Sequence, residues 1–184
     1  MTRAHGWRLA SASVTATTLV NMVVGKRGRA PVDSPGFELP LLLFAGFRSL
    51  IDELHAELAE RGHPDMRPAH GFAMQAIGVQ GATASDIGRK LGVSKQAAGK
   101  TVEKLTALGY AERIEDPDDA RRKIVCLTPR GIDALRQSAE IFERLRRRWV
   151  HELGSQRVRD MEAALRTMVP PESFRLDVAG WFGS

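Results

Sequence analysis

TASDIGRKLGVSKQAAGKTVEKLTALGYAERIEDPDDARRKIVCLTPRG, residues Thr83 to Gly131, sets two short helices, a glycine turn and a β-hairpin in a single run. Ser94 announces the second helix, because its hydroxyl accepts from amides left open at a helix start. From there Ala98, Val102, Leu105 and Leu108 fall on one face at spacings of four, three and three. The opposite face carries Lys95, Gln96, Gly99, Lys100 and Glu103. A buried apolar stripe beneath a polar, mostly cationic face suits a helix in a DNA major groove. Phosphates attract the lysines there, and base edges need hydrogen-bonding side chains. In the preceding helix, Thr83 and Asp86 form a capping box with Asp in place of Glu. Ile87 and Leu91 face inward, Gly88 leaves room for a crossing helix, Gly92 ends the helix and Val93 plugs the turn. The segment reads as a helix-turn-helix, against the alternative of a hairpin from an all-α core.

The residues beyond Leu108 favour the first reading. Gly109 closes the second helix and Tyr110 to Glu115 has the composition of a strand. Asp116-Pro117-Asp118-Asp119 is a turn, with proline setting φ. Lys123 to Leu127 returns as the second strand and places Arg121, Arg122 and Lys123 at the tip. Arginine on such a tip suits a narrow minor groove, where negative potential is concentrated.

The wing and its exit, Asp116 to Gly131 (DPDDARRKIVCLTPRG), resemble the MarR family of bacterial transcriptional regulators. That family commonly shows D-x-R or D-R-R, then five residues and L-T-x-x-G. Counting back from Leu127-Thr128, Asp119 takes the family's aspartate and Arg121 the arginine that enters the minor groove. Ala120 stands where many members carry the first arginine, which makes Arg122 a shifted replacement. The resemblance runs from about Leu39 to Val169, strongest in the wing. It implies a winged-helix homodimer on a palindromic operator, often released by a small ligand. On this reading Lys95, Gln96 and Lys100 approach the major groove, with Ser94 and Thr101 near phosphates. Arg121 enters the minor groove braced by Asp119, and Arg122 and Lys123 hold the backbone.

The expected fold is mainly α with a small β-wing: a DNA-binding lobe over about 68–127, and dimerisation helices over about 38–61 and 128–169. Phe44, Phe47, Ile51, Leu54 and Leu58 recur at helical spacing, and Leu41, Leu42 and Leu43 add more apolar surface than one face needs. That excess points to a subunit contact. Gly62 and His63-Pro64 end this helix. The next, Pro68 to Val79, packs through Phe72, Ala73, Met74 and Ile77. Beyond the wing, Thr128 caps a helix with Pro129 at its first position. Ile132, Leu135, Ala139, Phe142, Leu145 and Trp149 form a stripe long enough to lie against a second subunit. Gly154-Ser155 breaks it, and Val158, Met161, Leu165 and Met168 mark a last helix. The alternative for these helices is a monomeric bundle.

Residues 1–36 read as a disordered, basic, Ser/Thr-rich tail, or as an upstream extension if Met22 is the start; 170–184 read as a second tail bearing Trp181 and Phe182. Arg3, Arg8, Lys26, Arg27 and Arg29 against Asp33 give the N-terminal tail +4 of the net +5, leaving the body near +1. Overall charge is therefore weak support for DNA binding, and the local patch has to carry it. Lys26 to Arg29 would at most add salt-sensitive, non-specific affinity. One cysteine excludes an internal disulfide, and no stretch has the length and apolarity of a membrane span. A cytoplasmic location is expected.

Competing chemistry has little support. His55, His63 and His70 with Asp65 do not share helical ligand spacing, so no metal is expected. Cys126 lies on a strand, with no helix terminus to activate it. No phosphate loop, nucleophile elbow or catalytic carboxylate pair is present, so neither an enzyme nor a cofactor is expected. Phe47, Ile51, His70 and Met74 line an effector cleft on one reading and belong to ordinary core on the other. A winged helix used only to bind proteins remains the alternative function.

Overall fold

The computed structural model describes residues 35–116 and 119–169, with only the backbone of residues 119–121. Expectations for the two tails, for Pro117 and Asp118, and for the side chains of Asp119 and Arg121 lie outside the described residues. The chain divides within its first described helix, and residues up to Ser49 and from Leu50 onward are described separately.

Among the described residues six helices and two strands follow in order. They are α1 Glu38–Glu60, α2 Pro68–Ile77, α3 Ala84–Leu91, α4 Lys95–Ala107, β1 Ala111–Asp116, β2 Asp119–Leu127, α5 Pro129–Leu153 and α6 Ser155–Met168. No described helix is long and apolar enough to cross a membrane. Up to Ser49, Leu39, Leu42, Leu43, Phe44 and Phe47 stand exposed on α1.

From Leu50 onward one core forms. Leu54 and Leu58 of α1 join Ala73, Met74 and Ile77 of α2, Ile87 of α3, Ala98, Val102 and Leu105 of α4, Tyr110, Val125, and Ala134, Ile141 and Leu145 of α5. Glycines end two of the early helices, Gly92 where expected at φ 64° and Gly78 at φ 68°, values costly for any residue with a Cβ. Gly78 stops α2 at Ile77, two residues before the expected end.

Two elements differ from expectation. The hairpin is longer on its return side: β2 starts at Asp119, which pairs with Asp116, so Arg122 and Lys123 lie on the strand and not in a tip loop. A register irregularity between Glu115 and Asp116 absorbs the mismatch in strand length. Ala82 adds a bridge to Val125 by two backbone hydrogen bonds of 2.9 and 3.0 Å, a pairing too short to read from sequence.

In α5 the face that meets its own core is Gly131, Ala134, Ile141 and Leu145. Of the predicted stripe only Leu145 is fully buried; Ile132 is 56 % and Phe142 38 % exposed. Small Gly131 and Ala134 let the helix backbone approach the lobe, and the bulky line beside them is left facing outward. Leu165 and Met168 on α6 are likewise exposed, while Val158 is buried.

Candidate nucleic-acid interface

The interface starts at α3. Thr83 Oγ1 accepts from the Asp86 amide at 3.2 Å, and the Thr83 amide donates back to Asp86 Oδ2 at 3.4 Å, completing the predicted capping box. The Thr83 hydroxyl bond, then Arg89, hold the Asp86 carboxyl below its ordinary range. Gly88 sits where α3 meets the start of α4. A Cβ there would come within 2.9 Å of the Val93 carbonyl oxygen and 3.5 Å of Ala98 Cβ. That close crossing fixes the angle at which α4 leaves the turn.

Ser94 caps α4 by accepting from the Ala97 amide at 3.1 Å. Ala98, Val102 and Leu105 are buried, while Lys95, Gln96 and Lys100 are exposed on the other side. Thr101 spends its hydroxyl proton on the Ala97 carbonyl, 3.3 Å away. The polar face is thus locked in orientation by the apolar one.

Between this face and the hairpin lies a concavity of about 750 Å³. Thr83, Ser85 and Asp86 of α3 line it, with Lys95, Gln96 and Gly99 of α4, and Arg113, Arg122, Lys123 and Val125 of the hairpin. Helix face and wing therefore share one groove. Of the residues expected to meet DNA, Lys95, Gln96, Arg122 and Lys123 line it; Ser94, Lys100 and Thr101 stand on α4 outside the lining. Arg113 carries no signal in the sequence, because β1 is exposed on both sides from Glu112 to Glu115 and shows no apolar alternation to orient it. Arg113 and Val125 are cross-strand partners, so strand pairing puts them on the same face.

A buried polar cluster anchors the wing's base. Tyr110, fully buried, has its hydroxyl 3.2 Å from His63 Nδ1 and 3.3 Å from Arg130 Nη2. Arg130 also lies over the tyrosine ring at 4.8 Å and donates to the Gly62 carbonyl at 2.9 Å. His63 Nε2 is 3.1 Å from Asp133 Oδ2, to which Gln137 donates at 2.7 Å. Hydrogen bonds from Arg136, Gln137 and His63, in that order, pull the Asp133 carboxyl down to about 2. Thr128 caps α5 and donates to the Gly109 carbonyl at 2.6 Å. The wing's two ends and the start of α5 are thereby one joint. His63 belongs to this joint, and among the described residues no group of three or more His, Cys, Asp or Glu is placed to hold a metal.

The effector residues divide. Phe47 is exposed, Ile51 packs half-buried on the core and Met74 is fully buried. His70 is buried with Nδ1 lacking a partner. Burial first, and then the charge of Arg67, lower the affinity of both His55 and His70 for a proton; Lys104 acts likewise on His70, while Asp52 and Asp65 oppose. Folded values below the ordinary 6.5 mean that the neutral forms favour folding. That contribution is complete above the unfolded value and is lost as pH falls through the folded one. Urea midpoints are expected to fall as pH drops below about 6.5, and by less in His70→Gln. Parallel pH profiles for parent and variant would remove His70 from this role.

Comparison with known proteins agrees with this architecture. A model of the MarR family matches residues 65–122. The apo form of wild-type MarR from E. coli is 21% identical, with a TM-score of 0.59 over 76% of this chain and all of that one. MepR of Staphylococcus aureus, a transcription regulator of the multidrug efflux pump MepA, is 22% identical at a TM-score of 0.56, over 69% and 93% of the two chains. A MepR mutant bound to an oligodeoxyribonucleotide is 21% identical at 0.53, over 71% and 94%. No curated protein matches the chain. The MarR family resemblance read from the wing therefore stands, with residues 65–122 as its matched segment and the described chain having the mostly helical, two-stranded-wing fold of those transcription regulators.

Proposed function

We propose that this chain is a sequence-specific, double-stranded-DNA-binding transcriptional regulator that acts in the cytoplasm as a homodimer on a palindromic operator. One observation carries the proposal: the polar face of α4 and the arginine- and lysine-bearing hairpin line a single groove. Lys95, Gln96 and Lys100 meet the major groove, Ser94 and Thr101 lie near phosphates, and Arg122 and Lys123 hold the backbone. Arg121, braced by Asp119, takes the minor groove. The MepR mutant seen with an oligodeoxyribonucleotide supports the same use of this fold.

Homodimerisation is supported by apolar side chains that stand exposed, Leu39, Leu42 and Phe47 on α1 and Ile132, Phe142, Leu165 and Met168 on α5 and α6. Two-fold pairing would set the recognition helices ~34 Å apart, one turn of duplex. Release by a small molecule completes the reading. Such an effector must bind one spacing of the recognition helices better than another. At Ile51 and Met74 it has to displace packed core, with His70 Nδ1 as a buried ring nitrogen that lacks a hydrogen-bond partner.

Selection of bound genomic fragments tests the whole. The expected product is a palindrome with half-sites one turn apart; fragments sharing no sequence would instead favour a protein-interaction module. Within a recovered operator, Gln96→Ala is expected to relax base preference at one position per half-site by roughly 1–3 kcal/mol. An unchanged preference in a randomised-site selection would remove Gln96 from base reading.

A further inference from the structure

Among the described residues, the cations on the hairpin wall of the groove, Arg113, Arg122 and Lys123, are already paired. Arg113 Nη2 lies 3.8 Å from Glu103 Oε1, Arg122 Nε 3.5 Å from Asp116 Oδ2, and Lys123 Nζ 2.8 Å from Glu115 Oε1. Lys123 draws the Glu115 carboxyl below its ordinary range, first by this hydrogen bond and then by its charge. Among the described residues these three cations meet three carboxylates, two on the hairpin itself and one, Glu103, reaching across from α4. On α4, by contrast, Lys95 and Lys100 form no ion pair among the described residues. The lysines of α4 are therefore open, while the described cations of the hairpin are closed by carboxylates of the hairpin and of Glu103.

Resting on the DNA-binding reading above, we propose that Glu103, Glu115 and Asp116 are specificity-determining residues that stand in for phosphate and hold the wing's cations back from unmatched DNA. Carboxylate and phosphate oxygens engage guanidinium and ammonium groups in the same way, so one can replace the other. Glu103 and Glu115 are 69 % and 70 % exposed, and such pairs are weak enough to open. On a random duplex each phosphate that reaches the wing displaces a carboxylate and leaves it beside the polyanion, so the wing gains little. On a matched site α4 is seated, the hairpin is held against one stretch of backbone, and the local concentration of phosphate makes the exchange favourable. The carboxylates thus subtract more from non-specific than from specific affinity.

The strand register supplies a control. Glu115 pairs with Lys123 and Arg113 with Val125 on the groove face, whereas Glu112 pairs with Cys126 one residue out of phase and so on the other face. Asp116 is buried beside the register irregularity and is best left in place. The test compares the full chain with Glu103→Gln/Glu115→Gln and with Glu112→Gln, on a selected operator and on a random duplex of equal length across a salt series. For the double variant, affinity for random duplex is expected to rise about fivefold or more, with a smaller rise on the operator. Its salt slope should steepen by about 0.9 for each phosphate newly engaged. Glu112→Gln should shift random-duplex affinity less than about twofold. An unchanged random-duplex affinity in the double variant, or an equal rise in Glu112→Gln, overturns the inference. Failure of the DNA-binding reading would appear in the parent, as no preference for the operator; failure of this inference appears only in the variants.

Discussion

Replacing Arg121 by alanine is expected to weaken operator binding by about 10- to 100-fold while leaving the protein folded and its oligomeric state unchanged. The position is set by Leu127-Thr128: counting back from it, the MarR family pattern places the minor-groove arginine at Arg121. Its backbone lies in β2, two residues beyond the strand's start at Asp119. Hydrogen bonds made by a charged donor contribute about 1.5–3 kcal/mol each, which corresponds to one to two decades of affinity. A narrow minor groove concentrates negative potential and adds to that figure. The loss should be larger on the operator than on random DNA, because an arginine placed in the minor groove would read a groove width that unmatched sequence does not offer. Gel shifts or anisotropy titrations at fixed salt measure it, with circular dichroism and size-exclusion chromatography as controls on fold and assembly. A variant that binds the operator like the parent would place the minor-groove contact elsewhere, Arg122 being next in line. Arg122→Ala is then the informative second variant, since its pairing with Asp116 predicts a smaller change.

How far the fold is legible in the sequence depends on whether the deciding contacts are local. The Thr83–Asp86 box, the Ser94 cap and the Gly92 turn each lie within a few residues, and each appears where the sequence puts it. The inward line Ala98, Val102, Leu105 is likewise a property of one helix. On α5 the apolar pattern is equally clear, yet periodicity does not say which partner a stripe meets. Ile132 and Phe142 turn away from the lobe because Gly131 and Ala134 are small enough to touch it. In the candidate site, Lys95 and Gln96 are legible from their helix face. Arg113 is not, since four consecutive exposed residues in β1 hide the strand's period. The Tyr110 cluster is illegible for a different reason. Its members are brought together across sequence separations of 47 and 70 residues, and nothing near His63 announces Asp133.

Gly131→Ala is expected to destabilise the folded chain by about 3 kcal/mol or more, toward the severe end for an overpacked site. The glycine lies at the start of α5 in ordinary helical backbone, so conformational freedom is not the reason for its presence. A Cβ there would overlap the Tyr110 carbonyl oxygen outright and lie 3.1 Å from the carbonyl carbon. Neither side can retreat cheaply. The Thr128 amide donates to that same Tyr110 oxygen at 3.1 Å, and the Thr128 hydroxyl holds the Gly109 carbonyl at 2.6 Å. Moving α5 outward to make room would strip the Tyr110 hydroxyl of Arg130 and separate His63 from Asp133. Buried polar groups would then lose their partners, at about 1–3 kcal/mol each. Gly99 supplies the contrast: it is helical, and a Cβ there meets nothing within 4 Å. Gly99→Ala should therefore be neutral or stabilise by up to about 1 kcal/mol through the helix propensity of alanine. Urea unfolding reads both, as a drop in midpoint for Gly131→Ala and none for Gly99→Ala. Midpoints for Gly131→Ala within error of the parent would mean that α5 and the wing base part easily, and that the joint between them is not the rigid one that holds the hairpin against the α4 face.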